Sequence, residues 1–185
     1  MRTFTSSQIG LLLQNDQIDD FWDSEPVKIP LFDNIELEVT FVGFTPENDP
    51  GFIQEADEAL KNLLSLKSDL KFRYSDLVYQ YCRDCISFVG QDASNKHLWE
   101  INDSNEVWQY VDARGVIVSR RNRRDKDIYV SIVCGCEWEP EHGLQIVLRQ
   151  GKQVTRISDQ DGHLTSSDAY DTPDAEDVLL SKFSE

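Results

Sequence analysis

The tightest constraint in this chain is a pair of strand-forming runs, LQIVLR (Leu144–Arg149) and KQVTRI (residues 152–157), separated only by Gln150 and Gly151. A link that short, with glycine free to take a left-handed turn, forces the two runs into an antiparallel hairpin. With Arg149 set opposite Lys152, Leu144 falls opposite Ile157. GVIVS (residues 115–119) and DIYVSIVCGC (residues 127–136) precede the hairpin at short spacing, which predicts a run of antiparallel neighbours. An earlier run, NIELEVTFVGF, alternates Ile35, Leu37, Val39 and Phe41 with Glu36, Glu38 and Thr40. That period of two belongs to a half-buried strand.

Between these strands the period changes. Phe52, Ile53, Ala56, Leu60, Leu63 and Leu64 recur at helical spacing. A second amphipathic helix is predicted from Ser75 to Val89, with Val78, Tyr81, Cys82, Cys85, Phe88 and Val89 on its apolar stripe. EVWQYV reads equally as a short helix or a strand. Helices grouped before a run of strands point to an α+β fold, a mainly antiparallel sheet with two amphipathic helices packed on one face. The expected organisation is an acidic lead-in over residues 1–25, with a short helix around residues 9–16, then a single α+β domain over residues 26–165. An acidic tail over residues 166–185 is expected to be mobile or to end in a short helix near residues 178–183.

The chain carries 34 Asp and Glu against 18 Lys and Arg, a formal charge of -16. Such a surface repels nucleic-acid phosphates and anionic lipid and suits a basic protein partner. No nucleic acid and no membrane are therefore expected as partners. One stretch runs against the trend: SRRNRRDK carries Arg120, Arg121, Arg123, Arg124 and Lys126. It reads as a solvated hairpin tip, and a homo-oligomer could form if it paired with the acidic surface of another copy. No apolar run approaches the ~20 residues of a bilayer span, and the first residues lack a signal-peptide pattern. Four cysteines among 185 residues are too few for a disulfide scaffold. Reduced thiols and a cytoplasmic location are expected.

The octet CEWEPEHG, from Cys136 to Gly143, gathers three carboxylates, one of the three histidines and a tryptophan in a turn-like setting. The predicted hairpin brings Asp161, Gly162 and His163 to the same open end. Trp138, Glu139, Glu141, His142, Asp161 and His163 are thus the candidate binding residues. Two chemistries fit them. His142, His163, Glu141 and Asp161 have the donor types of a divalent-metal site or an acid/base pair. Equally, the residues can build a hydrogen-bonded turn. In that turn Pro140 restricts the backbone, Gly143 relieves crowding, the Trp138 indole finds an acceptor and Glu141 holds an imidazole. The second is the expectation, with no cofactor and no catalytic residue assigned, since no nucleophile elbow, phosphate loop or HExxH helix accompanies them. Cys82-x-x-Cys85 and Cys134-x-Cys136 suggest zinc by spacing, but both pairs fall on apolar faces and are expected buried and unligated. SDQDGHLTSSD is no calcium loop, because placing Gly162 at the turn puts Ile157 where the first carboxylate belongs.

From about Leu98 onward the chain resembles an uncharacterised bacterial domain family marked by a Cys-x-Trp-x-x-Glu-His-Gly turn and a closing Asp-Gly-His. Here these are Cys136, Trp138, Glu141, His142, Gly143, Asp161, Gly162 and His163. Members are similar to small acidic proteins found near polymorphic toxins, and the resemblance implies immunity or another binding role. The expectation is a non-enzymatic cytoplasmic protein-binding domain, an immunity-type inhibitor of a toxin. The alternative is a metal-dependent hydrolase built on His142, His163, Glu141 and Asp161.

Overall fold

The structure is a computed structural model that describes residues 2–45 and 47–182; Phe183, the end of the expected C-terminal turn, lies outside them. The chain begins with six strands, Thr3–Ser6 (β1), Gly10–Gln14 (β2), Phe21–Ser24 (β3), Val27–Ile29 (β4), Ile35–Leu37 (β5) and Val39–Val42 (β6). Three helices follow, Phe52–Ser65 (α1), Ser75–Val89 (α2) and Lys96–Trp99 (α3). Then come Val111–Arg120 (β7), Ile128–Cys136 (β8), Leu144–Arg149 (β9), Gln153–Ser158 (β10) and a short helix, Ser166–Tyr170 (α4). The first five residues of EVWQYV lie in a 3-10 helix, Ser104–Tyr110, and its last, Val111, opens β7.

Eight strands form one sheet in the order β1-β2-β3-β6-β7-β8-β9-β10, while β4 and β5 form a separate ribbon. Within the sheet, β6 and β7 pair in parallel and the other neighbours are antiparallel. Parallel strands cannot be joined by a tight turn, and here α1, α2 and α3 fill the crossover. The fold is thus α+β with a mostly antiparallel sheet.

One face of the sheet presents Leu12, Trp22, Phe41, Val118, Val130, Ile132 and Ile146 to Phe52, Leu60, Leu63, Val78 and Cys82 in a single apolar cluster. At its centre the Phe44 and Phe52 rings stack with centroids 4.1 Å apart. α1 approaches the sheet so closely that a Cβ on Gly151 would run into the Ala59 carbonyl oxygen. The Asn62 side-chain amide also donates to the Gln150 carbonyl over 3.0 Å. Gln150 and Gly151 both take left-handed conformations, with φ 51° and 65°. Their turn leaves Lys152 unpaired, so Arg149 faces Gln153. An irregularity between Val154 and Arg156 then puts Ile157 opposite Ile146, not Leu144 as the shorter turn implied.

Three expectations are corrected. Residues from the supposed lead-in supply β1, β2 and β3, and there is no helix around residues 9–16. The consecutive leucines Leu11, Leu12 and Leu13 conceal the alternation, since Leu12 alone faces the core. Ile35–Phe41 is not one strand. It breaks at Glu38, with β5 going to the ribbon and β6 to the sheet. The apolar stripe of α2 stops short, because Phe88 lies at its solvent end, 94% exposed.

The C-terminal segment corrects a fourth expectation, the solvated basic tip. Its described part ends in a 3-10 turn, Leu180–Lys182, within the short helix expected there, and folds back over the second face of β8–β10. The Thr155 hydroxyl donates to the Leu164 carbonyl over 3.2 Å, and the Gln153 amide to that of Leu179 over 3.1 Å. Tyr129, Val147 and Thr155 are fully buried. At the centre is Arg121, only 2% exposed, in what the sequence suggested was a solvated tip. Its guanidinium donates to Asp125 at 2.7 Å, to both oxygens of Asp168 at 2.8 Å and to both of Asp174 at 2.8 and 3.0 Å. It also reaches the hydroxyls of Thr165 and Ser167, each at 3.2 Å. A buried guanidinium is tolerable only when so fully paired. Arg124 adds bonds to the Thr172 carbonyl at 2.6 Å and to Asp174.

Removing one member of such a cluster strands the others. Arg121→Met is expected to destabilise the protein by about 3–5 kcal/mol, read from the urea midpoint. Deleting the chain from residue 165 should also lower the midpoint, and an unchanged midpoint in both variants would show that the segment does not clamp the sheet. Burial pushes the Asp174 carboxyl up, but hydrogen bonds from Arg121, Ser167 and Arg124 outweigh it and hold the group below its ordinary 3.8. Its stabilisation is complete above that pH and is lost as pH falls through the depressed folded value. Asp174→Asn should lower the midpoint at neutral pH, and the gap from the parent should close in acid below 3.8.

Candidate functional site

β8 ends at Cys136 and β9 begins at Leu144, so the octet is the connection between two central strands. Its backbone closes through Gly143 N–H to the Glu139 carbonyl at 2.8 Å. The Glu139 carboxylate accepts from the His142 backbone N–H and contacts ring Nδ1, both at 3.3 Å. Glu139 therefore does what Glu141 was expected to do. Glu141 is exposed, because the turn directs the earlier carboxylate back over the chain.

Gly143 is required here. Its φ is 62°, and a Cβ would run into the Cys134 carbonyl oxygen and the Gln160 amide. The Tyr81 hydroxyl donates to the Gly143 carbonyl at 3.0 Å and ties α2 to the turn. Gln160, which carried no signal in the sequence, locks the other side. Its backbone N–H donates to the His142 carbonyl at 3.1 Å, and its side-chain amide to the Cys134 carbonyl at 2.8 Å. Trp138 is 5% exposed and meets Tyr81 edge-on, with centroids 6.1 Å apart. Its indole N–H has no hydrogen-bond partner among the described residues, contrary to expectation. The nearby Tyr81 hydroxyl is already directed at Gly143.

Asp161 and His163 form a second, separate unit. One Asp161 oxygen accepts from the His163 backbone N–H and the Gln145 amide, both at 3.0 Å. The other takes Arg156 at 2.5 Å and His163 Nδ1 at 3.1 Å. Burial raises the Asp161 carboxyl, but the His163 backbone and ring and the Arg156 charge prevail and keep it below the ordinary range. His142 and His163 thus each face their own carboxylate, and Gln160 sits between the two units. Among the described residues no group of three or more His, Cys, Asp and Glu is arranged to hold a metal ion.

The third histidine, overlooked in the sequence, pairs its Nε2 with Glu137 at 2.8 Å. Cys82, Cys134 and Cys136 are buried, Cys85 half-buried, and all four are free. Burial pushes the Cys82 and Cys136 thiols up to about 12, which leaves them protonated and poorly nucleophilic at neutral pH. What this arrangement does chemically is hold the β8–β9 turn, the loop after β10 and α2 in one register.

Gly143→Ala is expected to cost at least about 2 kcal/mol through backbone strain and the carbonyl clash. Gln160→Ala should cost about 1–3 kcal/mol by leaving the Cys134 carbonyl without its donor. His142→Ala should stay within about 0.5 kcal/mol, as an exposed side chain. Thermal unfolding of the three variants checks the order; a His142 loss as large as that of Gly143 would make the imidazole the organising group.

No curated protein and no solved structure matches the chain. A family match does cover residues 10–164, from the start of β2 to the residue that Thr155 holds, and the chain belongs to that family, the domain of unknown function DUF6985.

Proposed function

We propose that this chain is a non-enzymatic protein-binding domain for a basic partner, acting in the reducing cytoplasm as an immunity-type inhibitor. The observation that carries the reading is how the cations are used. Arg120 holds Asp49 and Glu55, Arg121 holds three aspartates, Arg124 holds Asp174, Arg149 holds Asp127 and Arg156 holds Asp161. Three of the five cations in the basic stretch, Arg120, Arg121 and Arg124, are thus spent on the chain's own carboxylates, while Arg123 and Lys126 stay exposed, and the chain as a whole keeps its excess charge of -16. A field of one sign steers an oppositely charged protein into fast encounter. The motif residues support the same reading, since Asp161 and Glu139 spend their oxygens on internal donors and not in an open catalytic cleft. The resemblance of Cys136, Trp138, Glu141, His142, Gly143, Asp161, Gly162 and His163 to the motif of a family whose members are similar to small acidic proteins found near polymorphic toxins points in the same direction.

The experiment is binding of the purified chain to purified products of the genes neighbouring its own. A basic neighbour should associate with a rate constant that falls at least about tenfold from low to physiological salt. If no neighbour binds and the chain instead turns over generic ester or phosphoester substrates, the binding reading is lost. The metal-hydrolase alternative makes a separate demand. Zinc or manganese would raise the unfolding midpoint in a saturable way that His142→Ala abolishes, and the binding reading expects no such rise.

A further inference from the structure

The second face of the sheet is treated differently at its two ends. Over β8–β10 it is covered by this chain's own C-terminal segment, with Tyr129 and Val147 buried beneath it. Over β2, β3 and β6 it is left open. There Leu13 lies opposite Asp23, and Asp23 opposite Thr40, in strand register. Leu11, Leu13 and Ile18 are 52%, 36% and 44% exposed. With Asp16, Asp23, Glu25 and Glu38 they line an open groove of about 580 Å³. Grouped apolar side chains with a polar rim mark an interaction surface more than isolated ones do.

The rim is one-signed. Asp23 is held by Thr40 at 2.8 Å and Asn15 at 2.9 Å. No cation pairs with Asp16, Glu25 or Glu38 among the described residues. Burial, together with the charges of Asp23 and Glu25, holds the Glu38 carboxyl above its ordinary value. Like charges gathered beside apolar surface are unfavourable until a cation arrives. At the other end of the same face the chain supplies that complement itself, with Arg121 set among aspartates over buried apolar residues. In the open groove the carboxylates stand without such a partner from among the described residues.

We infer that this groove is the docking surface for the partner, and that its occupant is a basic segment of another protein, presenting an apolar side chain flanked by Lys or Arg. The inference rests on the protein-binding reading above and specifies the surface. An apolar anchor among Leu11, Leu13 and Ile18 would exclude water, and flanking cations would pair with Glu25, Glu38 and Asp16.

The test uses the full chain and a short synthetic peptide alternating Lys and Leu, followed by amide chemical shifts. An all-lysine peptide of equal charge serves as control. The Lys/Leu peptide should shift amides of residues 11, 13–18, 23–25 and 38, which line the groove. It should bind at least about tenfold more weakly to Leu13→Ser and Ile18→Ser. Both side chains are exposed, so these variants keep the fold. Glu58→Gln, an exposed acidic position outside the groove, should leave binding unchanged. Shifts centred elsewhere, or equal binding by the all-lysine peptide, overturn the groove and leave the binding reading to its own test with neighbouring gene products. No shift with either peptide likewise overturns the groove and leaves the binding reading to that same separate test.

Discussion

One guanidinium organises much of this molecule. Arg121 joins the β7–β8 connection to three aspartates, two of them from the C-terminal segment. Each interaction would be weak on a solvated surface. Around a buried guanidinium they become obligatory, since loss of an aspartate leaves Arg121 charged, dry and short of a partner. The cluster also takes up part of the basic stretch: Arg121 and Arg124 are spent on the chain's own aspartates, while Arg123 and Lys126 stay exposed.

The octet at the β8–β9 turn works by the same logic with neutral groups. Gly143, Gln160 and Tyr81 come from three separate parts of the sequence and meet through main-chain carbonyls. The carboxylates and imidazoles that make the motif conspicuous are paired locally, Glu139 with His142 and Asp161 with His163. Chemical variety in the motif thus resolves into short-range closure of two loops. The surface with apolar residues to spare lies elsewhere, on β2, β3 and β6.

Legibility followed physical range. The antiparallel strands of the second half and both main helices were readable, because period two and period 3.6 are local properties of Ile128–Cys136 or Phe52–Ser65. The need for Gly143 was also readable, since a glycine after a proline-containing turn signals crowded backbone. The N-terminal strands were hidden by three adjacent leucines, which carry no alternation. Gln160 and Arg121 were invisible in their roles. One is a polar residue in a polar loop, and the other is a cation whose partners Asp168 and Asp174 lie 47 and 53 positions downstream. A charge on a hairpin is ordinarily solvated, and only the folded-back segment reverses that expectation. Trp138 failed differently: burial was legible, but the competition for acceptors around its indole was not.

The separation of Arg121 from Asp174, 53 positions along the chain, also matters while the protein is being made. At ribosomal speeds of about 5–20 residues per second, Arg121 waits on the order of 3–10 s for Asp174 to emerge. Once β10 is complete at Ser158, the second face of β8–β10 stays bare for about the last 1–3 s of that wait. Its composition suits the wait: Ser131, Gln145, Thr155 and Arg156 interrupt Tyr129 and Val147, all buried in the finished fold. A nascent chain with that half-polar face offers little for other unfinished chains to adhere to, so this surface can be completed last.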